Sequence, residues 1–327
     1  MRLPGTTLPS TFRIPNSGDI IRLSLNIESQ HMILVIGATG FIGQHVVARL
    51  VQEQYSVCAL VRPSRRPRHF PPGISIQIVT GDIDDAPALR LAMHRVTAVI
   101  YLATEWNAAA DPAAADINVR RAEQVIEAMR ETGVNRMITF SLIGADTHSA
   151  YPYLRSKALT DEVITRSGLD YTIIQSSAVY GSGDNWTETI SLVLRRWPFF
   201  FPIPGDGRTR LQPIAVDDLA TCALACLADP KTIAKTYVVG GPSHMTYDEV
   251  VTTIMQATRR RRRKRYMRPA SARSWSNFLR GLLGGRTLYS DADFDLLSID
   301  RTTTLDAVSF QFGFTPARMP AALDYLR

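Results

Sequence analysis

A doubly wound α/β fold, a parallel sheet covered by helices on both faces with a smaller C-terminal cap, is the architecture this sequence predicts. Three observations lead there. Short apolar runs without polar alternation recur along the chain, separated by amphipathic stretches, the pattern of strands buried on both sides. The first run, "MILVI" at 32–36, passes directly into the glycine-rich turn "GATGFIG" and then into a helical pattern. Two stretches, 181–212 and 243–327, interrupt the alternation.

Taken in order, strands are expected at 32–36, 56–61, 74–79, 97–102, 136–140, 170–174 and 236–239, and helices at 41–53, 86–94, 115–131, 153–167 and 217–228. Residues 32–180 with 213–242 then form a dinucleotide-binding Rossmann domain, with ligand expected at the carboxyl ends of the strands. Residues 181–212 with 243–327 form the substrate or partner cap. Residues 1–31 are rich in Ser, Thr, Pro and Arg, and lack both periodicity and the apolar core of a secretory signal. They are expected to be a disordered extension, or to precede a true start at Met32; Asp19 and Glu28 argue against a transit peptide.

Of the 327 residues, 45% are apolar and 20% charged, a soluble globular composition. No apolar run reaches the ~18 residues of a membrane span. Cys58, Cys222 and Cys226 fit neither a disulfide framework nor a zinc site. A reducing, cytoplasmic setting and no metal are expected, with Cys222 and Cys226 sharing a helix face as small core residues. The net charge of +7 is local: removing the run "RRRRRKR" at 259–265 from the 37 Lys and Arg leaves 30, equal to the 30 Asp and Glu. That run is either a solvated strand or loop edge, or a contact with an anionic membrane surface or an acidic protein partner. A nucleic-acid partner is set aside, because no wider basic surface or docking motif accompanies it. Residues 273–283, "RSWSNFLRGLL", read as an amphipathic helix that packs on the cap or lies on a membrane surface. The protein is thus expected in the cytoplasm, peripheral to a membrane if the run binds lipid. Trp106, Trp186 and "RRWPFFFPIPG" supply aromatics for the cap core or for an apolar pocket.

The glycine turn is the strongest chemical signal. Gly37, Gly40 and Gly43 stand between a strand and a helix, with Thr39, Phe41 and Ile42 in the same turn. Such a turn brings backbone N–H groups to a pyrophosphate, and the helix N-terminus favours its charge. The second strand ends "LVRPSRRPR", placing Arg62 nineteen residues beyond Gly43, followed by Ser64, Arg65 and Arg66. An NAD-preferring site carries a carboxylate there; a guanidinium instead suits a 2′-phosphate, so NADP(H) is favoured over NAD(H). Asp82, in "GDIDD", is positioned for the adenine amino group with Ile83 on the ring. Ala103 and Thr104, in "YLAT", are positioned for the nicotinamide ribose.

These motifs, with "INVRRAEQVIEAMRETGVNRMITFS", "YLRSK", "AVYGSGDN" and "LQPIAVDDLA", fall in an order that resembles the short-chain dehydrogenase/reductase superfamily in its extended and atypical, epimerase/dehydratase-like branches. The resemblance spans roughly 32–250. "RSKALTDEVITRSGLDYTII" and "VVGGPSHMTYDEVV" are similar to the branch that includes the nucleotide-binding accessory subunits of respiratory complex I and their bacterial relatives. The resemblance implies Tyr153 as catalytic acid/base, Lys157 as the ribose ligand that lowers the Tyr pKa, Ser141 as polariser of a substrate carbonyl, and Asn118 as holder of a relay water. Elementary chemistry agrees: a phenol titrating near ~10 needs a nearby cation to act at neutral pH, and Lys157 lies four residues on along one helix face. One departure weighs the other way. Where the family has Arg-Pro after the sixth strand, this chain has Gln175-Ser176. The expected function is NADPH-dependent hydride transfer to a small carbonyl-type substrate; the alternative is a non-catalytic NADPH-binding accessory or redox-sensing subunit of a larger complex. The aromatic segment around 195–205 lacks an obvious set of Arg residues for a sugar-nucleotide diphosphate, which with Arg62 counts against an NAD-dependent sugar-nucleotide epimerase.

Overall fold

The computed structural model describes residues 32–63, 70, 73–105 and 112–327. The expected extension 1–31, together with Ser64, Arg65, Arg66 and Trp106, lies outside the described residues. His31–Arg327 form one compact unit.

The apolar runs assemble into a seven-stranded sheet: β1 (Met32–Ile36), β2 (Ser56–Val61), β3 (Gln77–Thr80), β4 (Val96–Tyr101), β5 (Arg136–Leu142), β6 (Asp170–Ser176) and β7 (Lys235–Val239). Every pairing is parallel, in the order β3-β2-β1-β4-β5-β6-β7. Side chains alternate along a strand, so β1 feeds two cores at once. Ile33 and Val35 pack with α1 (Phe41–Gln52) and α6 (Val216–Ala228) through Val46, Val47, Leu50, Leu219 and Ala223. Leu34 and Ile36 pack on the other face with α2 (Ala86–Ala92), α3 (Pro112–Thr132) and α4 (Pro152–Thr165) through Leu89, Val125, Met129 and Ile164. This two-sided burial is why the strands carry no polar alternation.

Boundaries follow local chemistry. Asp85 caps α2 by accepting from the Ala88 N–H, with Pro87 in the first turn, where its missing N–H costs nothing. Pro152 opens α4 in the same way. The expected strand at 74–79 begins only at Gln77. Ile74 and Ile76 still pack on the sheet, but β3 is an edge strand whose pairing to β2 starts at Cys58–Gln77. Cys222 and Cys226 are buried on α6, as expected.

A second core gathers residues from the interrupting stretches. Ile190, Val193 and Leu194 of α5 (Thr187–Arg196) meet Val250, Val251 and Ile254 of α7 (Tyr247–Ala257) and Leu279 of α8 (Pro269–Leu282). The strand Arg263–Met267 pairs in parallel with Phe200–Pro204. The Ser177 hydroxyl, one residue past β6, joins both parts: it accepts from the Gln212 N–H at 2.9 Å and donates to the Arg301 carbonyl at 2.7 Å.

Candidate functional site

The turn after β1 is shaped for close approach. Gly37 has φ +90°, and a Cβ there would meet the Ala103 nitrogen at 3.0 Å; a Cβ on Gly43 would stand 2.2 Å from the Gly37 carbonyl. Helix α1 starts at Gly40 with no side-chain cap, so its first N–H groups are left for another partner. Thr39, Phe41 and Ile42 are half-buried around this end. The glycine turn therefore sits directly on the end of β4, against Leu102 and Ala103. The Lys157 ammonium completes the group, donating to the Phe140 carbonyl at 2.7 Å and reaching the Thr104 hydroxyl at 3.4 Å. Burial lowers the Lys157 pKa, opposed by the Asp161 carboxylate. A cradle that any Cβ would fill, an uncapped helix end and a buried ammonium fit a nicotinamide dinucleotide.

At the far end of the crevice Arg62 is exposed and makes no ion pair among the described residues; Arg65 lies outside them. Asp82 is half-buried, and its carboxylate accepts from the Ile83 N–H at 2.7 Å. Ile83 is buried with Leu60, Val79 and Leu89, so it belongs to the core behind this turn.

The four residues expected to carry proton transfer are not brought to one point. On α4, Tyr153, Lys157 and Asp161 lie at four-residue intervals on one face. Ser141 pairs with the last of them: its hydroxyl donates to Asp161 at 2.5 Å. Eight residues, about 12 Å of helix axis, separate the Asp161 backbone from that of Tyr153. Instead, the β5 residue packed against the Tyr153 cluster is Leu142. Gln175 also hydrogen-bonds the Asp161 carboxylate, which gives this departure from the family pattern a partner. Burial raises the Asp161 pKa, while Lys157, Ser141 and Gln175 hold it down in opposition. Asn118 is buried too, and braces the backbone: its oxygen accepts from the Glu105 N–H at 2.7 Å and its amide donates to Ser156 at 3.0 Å.

Tyr153 itself is covered. Helix α9 (Asp291–Leu296) lays Ala292 and Leu296 on it, with Ile117, Tyr151 and Ile299 at the edge. Ile299 also approaches Gly144, where a Cβ would stand 2.5 Å from its Cδ1. The expectation that Lys157 lowers the Tyr153 pKa is corrected here. Burial pushes the phenol up, Asp293 pushes it further, and Arg301 pulls it down in part. Arg301 is buried and Asp293 half-buried; desolvation raises the pKa of Asp293 and lowers that of Arg301 to about 10. No group of His, Cys, Asp and Glu among the described residues could hold a metal. Burial pushes the Cys58 thiol up to about 11 and that of Cys226 to about 12, so neither is poised as a thiolate.

Asp161 was the functional neighbour missed in the sequence. Its signal was present in "YLRSKALTD", where Tyr153, Lys157 and Asp161 repeat every fourth residue. No comparable signal existed for α9 over Tyr153, because a six-residue helix does not announce its docking site.

A family described as NAD(P)H-binding matches residues 37–230. The chain is 30% identical over 222 residues, 66% of its length, to the mitochondrial NADH dehydrogenase [ubiquinone] 1 alpha subcomplex subunit 9 of Arabidopsis thaliana, and spans 55% of that relative. It is 25% identical over 301 residues, 90% of its length and 93% of the relative, to the photosystem II assembly factor Ycf39 of Guillardia theta. It is also 30% identical over 207 residues to a ceramide reductase of Caulobacter vibrioides, covering 62% of this chain and 63% of that one. Among solved structures, the UDP-glucose 4-epimerase of Thermotoga maritima superposes with a TM-score of 0.70 at 20% identity, over 90% of this chain and 97% of that one, a likeness of fold.

Proposed function

Because the chain belongs to the NAD(P)H-binding family of extended short-chain dehydrogenase/reductase-like proteins, we propose that it holds a nicotinamide dinucleotide as a structural or redox-sensing ligand, without turnover through Ser141, Tyr153 and Lys157. The observation that carries this reading is the hydrogen bond of Ser141 to Asp161, with Leu142 the β5 residue packed against the Tyr153 cluster. An aliphatic side chain cannot donate to a developing oxyanion, and a phenol whose pKa burial has raised is a poor proton donor near neutral pH.

The chain's own residues then divide the binding work. The N–H groups of the glycine turn and the start of α1 would hold the pyrophosphate. Lys157 and Thr104 would hold the nicotinamide ribose, and Arg62 the 2′-phosphate that distinguishes NADP(H). The bound nicotinamide would carry a hydride, yet the residues around it are arranged to retain the cofactor. Two of the relatives are named as a respiratory-complex subunit and a photosystem assembly factor, which supports a role in a larger assembly.

The test is cofactor binding measured beside cofactor consumption. The purified protein should bind NADPH yet leave it unoxidised with a panel of aldehydes and ketones. Tyr153→Phe should leave affinity unchanged, and Lys157→Ala should weaken it. Oxidation of NADPH by any carbonyl, lost ~10²–10⁴-fold in Tyr153→Phe, would overturn the reading. That outcome would establish the second one, a small-carbonyl oxidoreductase with Tyr153 as acid. This alternative is favoured by the placement of Lys157 and by the likeness to a ceramide reductase.

A further inference from the structure

The run "RRRRRKR" resolves into two interleaved sets. Arg262 and Lys264 are half-buried and bonded inward. Arg262 donates to the Trp197 and Leu194 carbonyls at 3.1 and 2.9 Å, closing the end of α5. Lys264 pairs with Asp248 and donates to the Thr252 hydroxyl. The other five, Arg259, Arg260, Arg261, Arg263 and Arg265, are exposed and have no acidic partner among the described residues. Alternation in and beside the strand Arg263–Met267 produces the split: 262 and 264 face inward, while 261, 263 and 265 form an outer row at ~6.6 Å spacing.

That row borders a cluster of rings. The strand lies in register with Phe200–Pro204, Arg263 opposite Phe200, and the Arg265 guanidinium stands over the Phe200 ring at 5.3 Å. Phe200 meets Trp275 at 5.0 Å, Trp275 meets Phe278 at 5.4 Å, Phe278 meets Trp197 at 5.9 Å, and Trp197 meets Phe199 at 4.8 Å between centroids. The outer members are open to solvent: Phe199 is 67% exposed, Phe278 59% and Leu282 41%. Helix α8 has two apolar faces as a result. Ala272, Leu279 and the adjoining Leu283 go into the cap core, while Phe278 and Leu282, one turn apart, point out.

We propose that this face docks on the surface of an anionic lipid bilayer. Exposed rings bordering guanidiniums that have no acidic partner among the described residues form an arrangement in which apolar surface meets water and like charges repel. The headgroup boundary answers both halves, taking rings below the phosphates and cations among them. An acidic protein would have to match five guanidiniums with paired carboxylates while also burying protruding rings. A fluid anionic surface requires no such register. Among the described residues no helix is long and apolar enough to cross a membrane, so the attachment is peripheral.

The experiment is co-sedimentation of the full chain with phosphatidylcholine vesicles, with and without phosphatidylglycerol, read together with quenching of tryptophan fluorescence by brominated acyl chains. Binding is expected only to the anionic vesicles, weakening steeply as salt rises, with quenching that Trp275→Phe reduces. Exchanging Arg261, Arg263 and Arg265 together for Ser should weaken binding ~10²-fold, at about 1 kcal/mol per cation. Phe199→Ser with Phe278→Ser should remove quenching. The Arg and Phe positions are exposed and Trp275 is half-buried, so an unchanged melting temperature of each variant certifies folding. No binding to anionic vesicles at low salt would overturn the proposal, as would binding that both sets of substitutions leave intact. Capture by polyglutamate combined with indifference to vesicles would also overturn it, in favour of an acidic polypeptide.

Discussion

In the function proposed above, Arg62 would decide more about the cofactor than any other single side chain. It occupies the end of β2, where a carboxylate would receive a ribose hydroxyl, and no acid neutralises it among the described residues. NADPH should bind more tightly than NADH by about 1–3 kcal/mol, the range of a charge-assisted contact. Titration of both cofactors should show the gap closing in Arg62→Ala through loss of NADPH affinity; equal affinities in the unaltered protein would refute the assignment. At this scale the sequence was readable where a role belongs to the backbone or to a chain terminus of an element. Gly37 and Gly43 form the tight turn between β1 and α1, and Lys157 is buried with its ammonium on the Phe140 carbonyl. It was less readable where a role depends on which way a side chain turns. Ser141 and Leu142 are adjacent letters, and nothing in their order tells that the first bonds Asp161 while the second packs against the Tyr153 cluster.

Among the elements, α1 and α6 are clamped by a titratable pair. His45 Nδ1 lies 2.7 Å from the Asp217 carboxylate and its Nε2 lies 3.0 Å from the Ser182 carbonyl. Burial disfavours the charged ring, but Asp217 and Ser182 outweigh it and raise the His45 pKa above 6.5. The hydrogen bond from His45 in turn holds Asp217 below 3.8. A raised histidine stabilises the fold fully below its unfolded pKa and ceases to do so as pH rises through the folded value. A depressed carboxylate does so above its unfolded pKa and ceases as pH falls. The clamp therefore acts between about pH 4 and 6.5 and fades toward pH 8. Because Asp217 is largely exposed, it contributes about 1 kcal/mol at most. The melting temperature of His45→Ala should fall below that of the unaltered protein at pH 5.5, with a smaller difference at pH 8; a gap that grows with pH would contradict the assignment. The helices and strands themselves were legible from period and punctuation. The exceptions sit at the margin, as with β3, whose first apolar residues pack without pairing.

For the molecule as a whole, the closure of the cap over α4 is the feature no local pattern disclosed, since it joins residues about 140 positions apart in sequence. Leu296 is 6% exposed and lies on Tyr153. Its truncation in Leu296→Ala should destabilise the protein by about 2–5 kcal/mol, as for other buried leucines. Water admitted beside the phenol should also bring the Tyr153 pKa down toward its ordinary 10.0. Denaturant unfolding and an ultraviolet phenol titration would read the two effects; a large loss of stability without any fall in that pKa would mean that α9 does not seal the ring. The stitch at Ser177 gives this closure a clock. Its hydroxyl is bonded to the Gln212 N–H and to the Arg301 carbonyl at once, so lifting the segment around 299–301 leaves the hydroxyl without its acceptor and loosens its hold on that amide. Deuterium should enter at Gln212 at the rate at which the cap breathes, slower than at surface turns and faster than at β5, and the interval between those rates is the time the crevice remains shut.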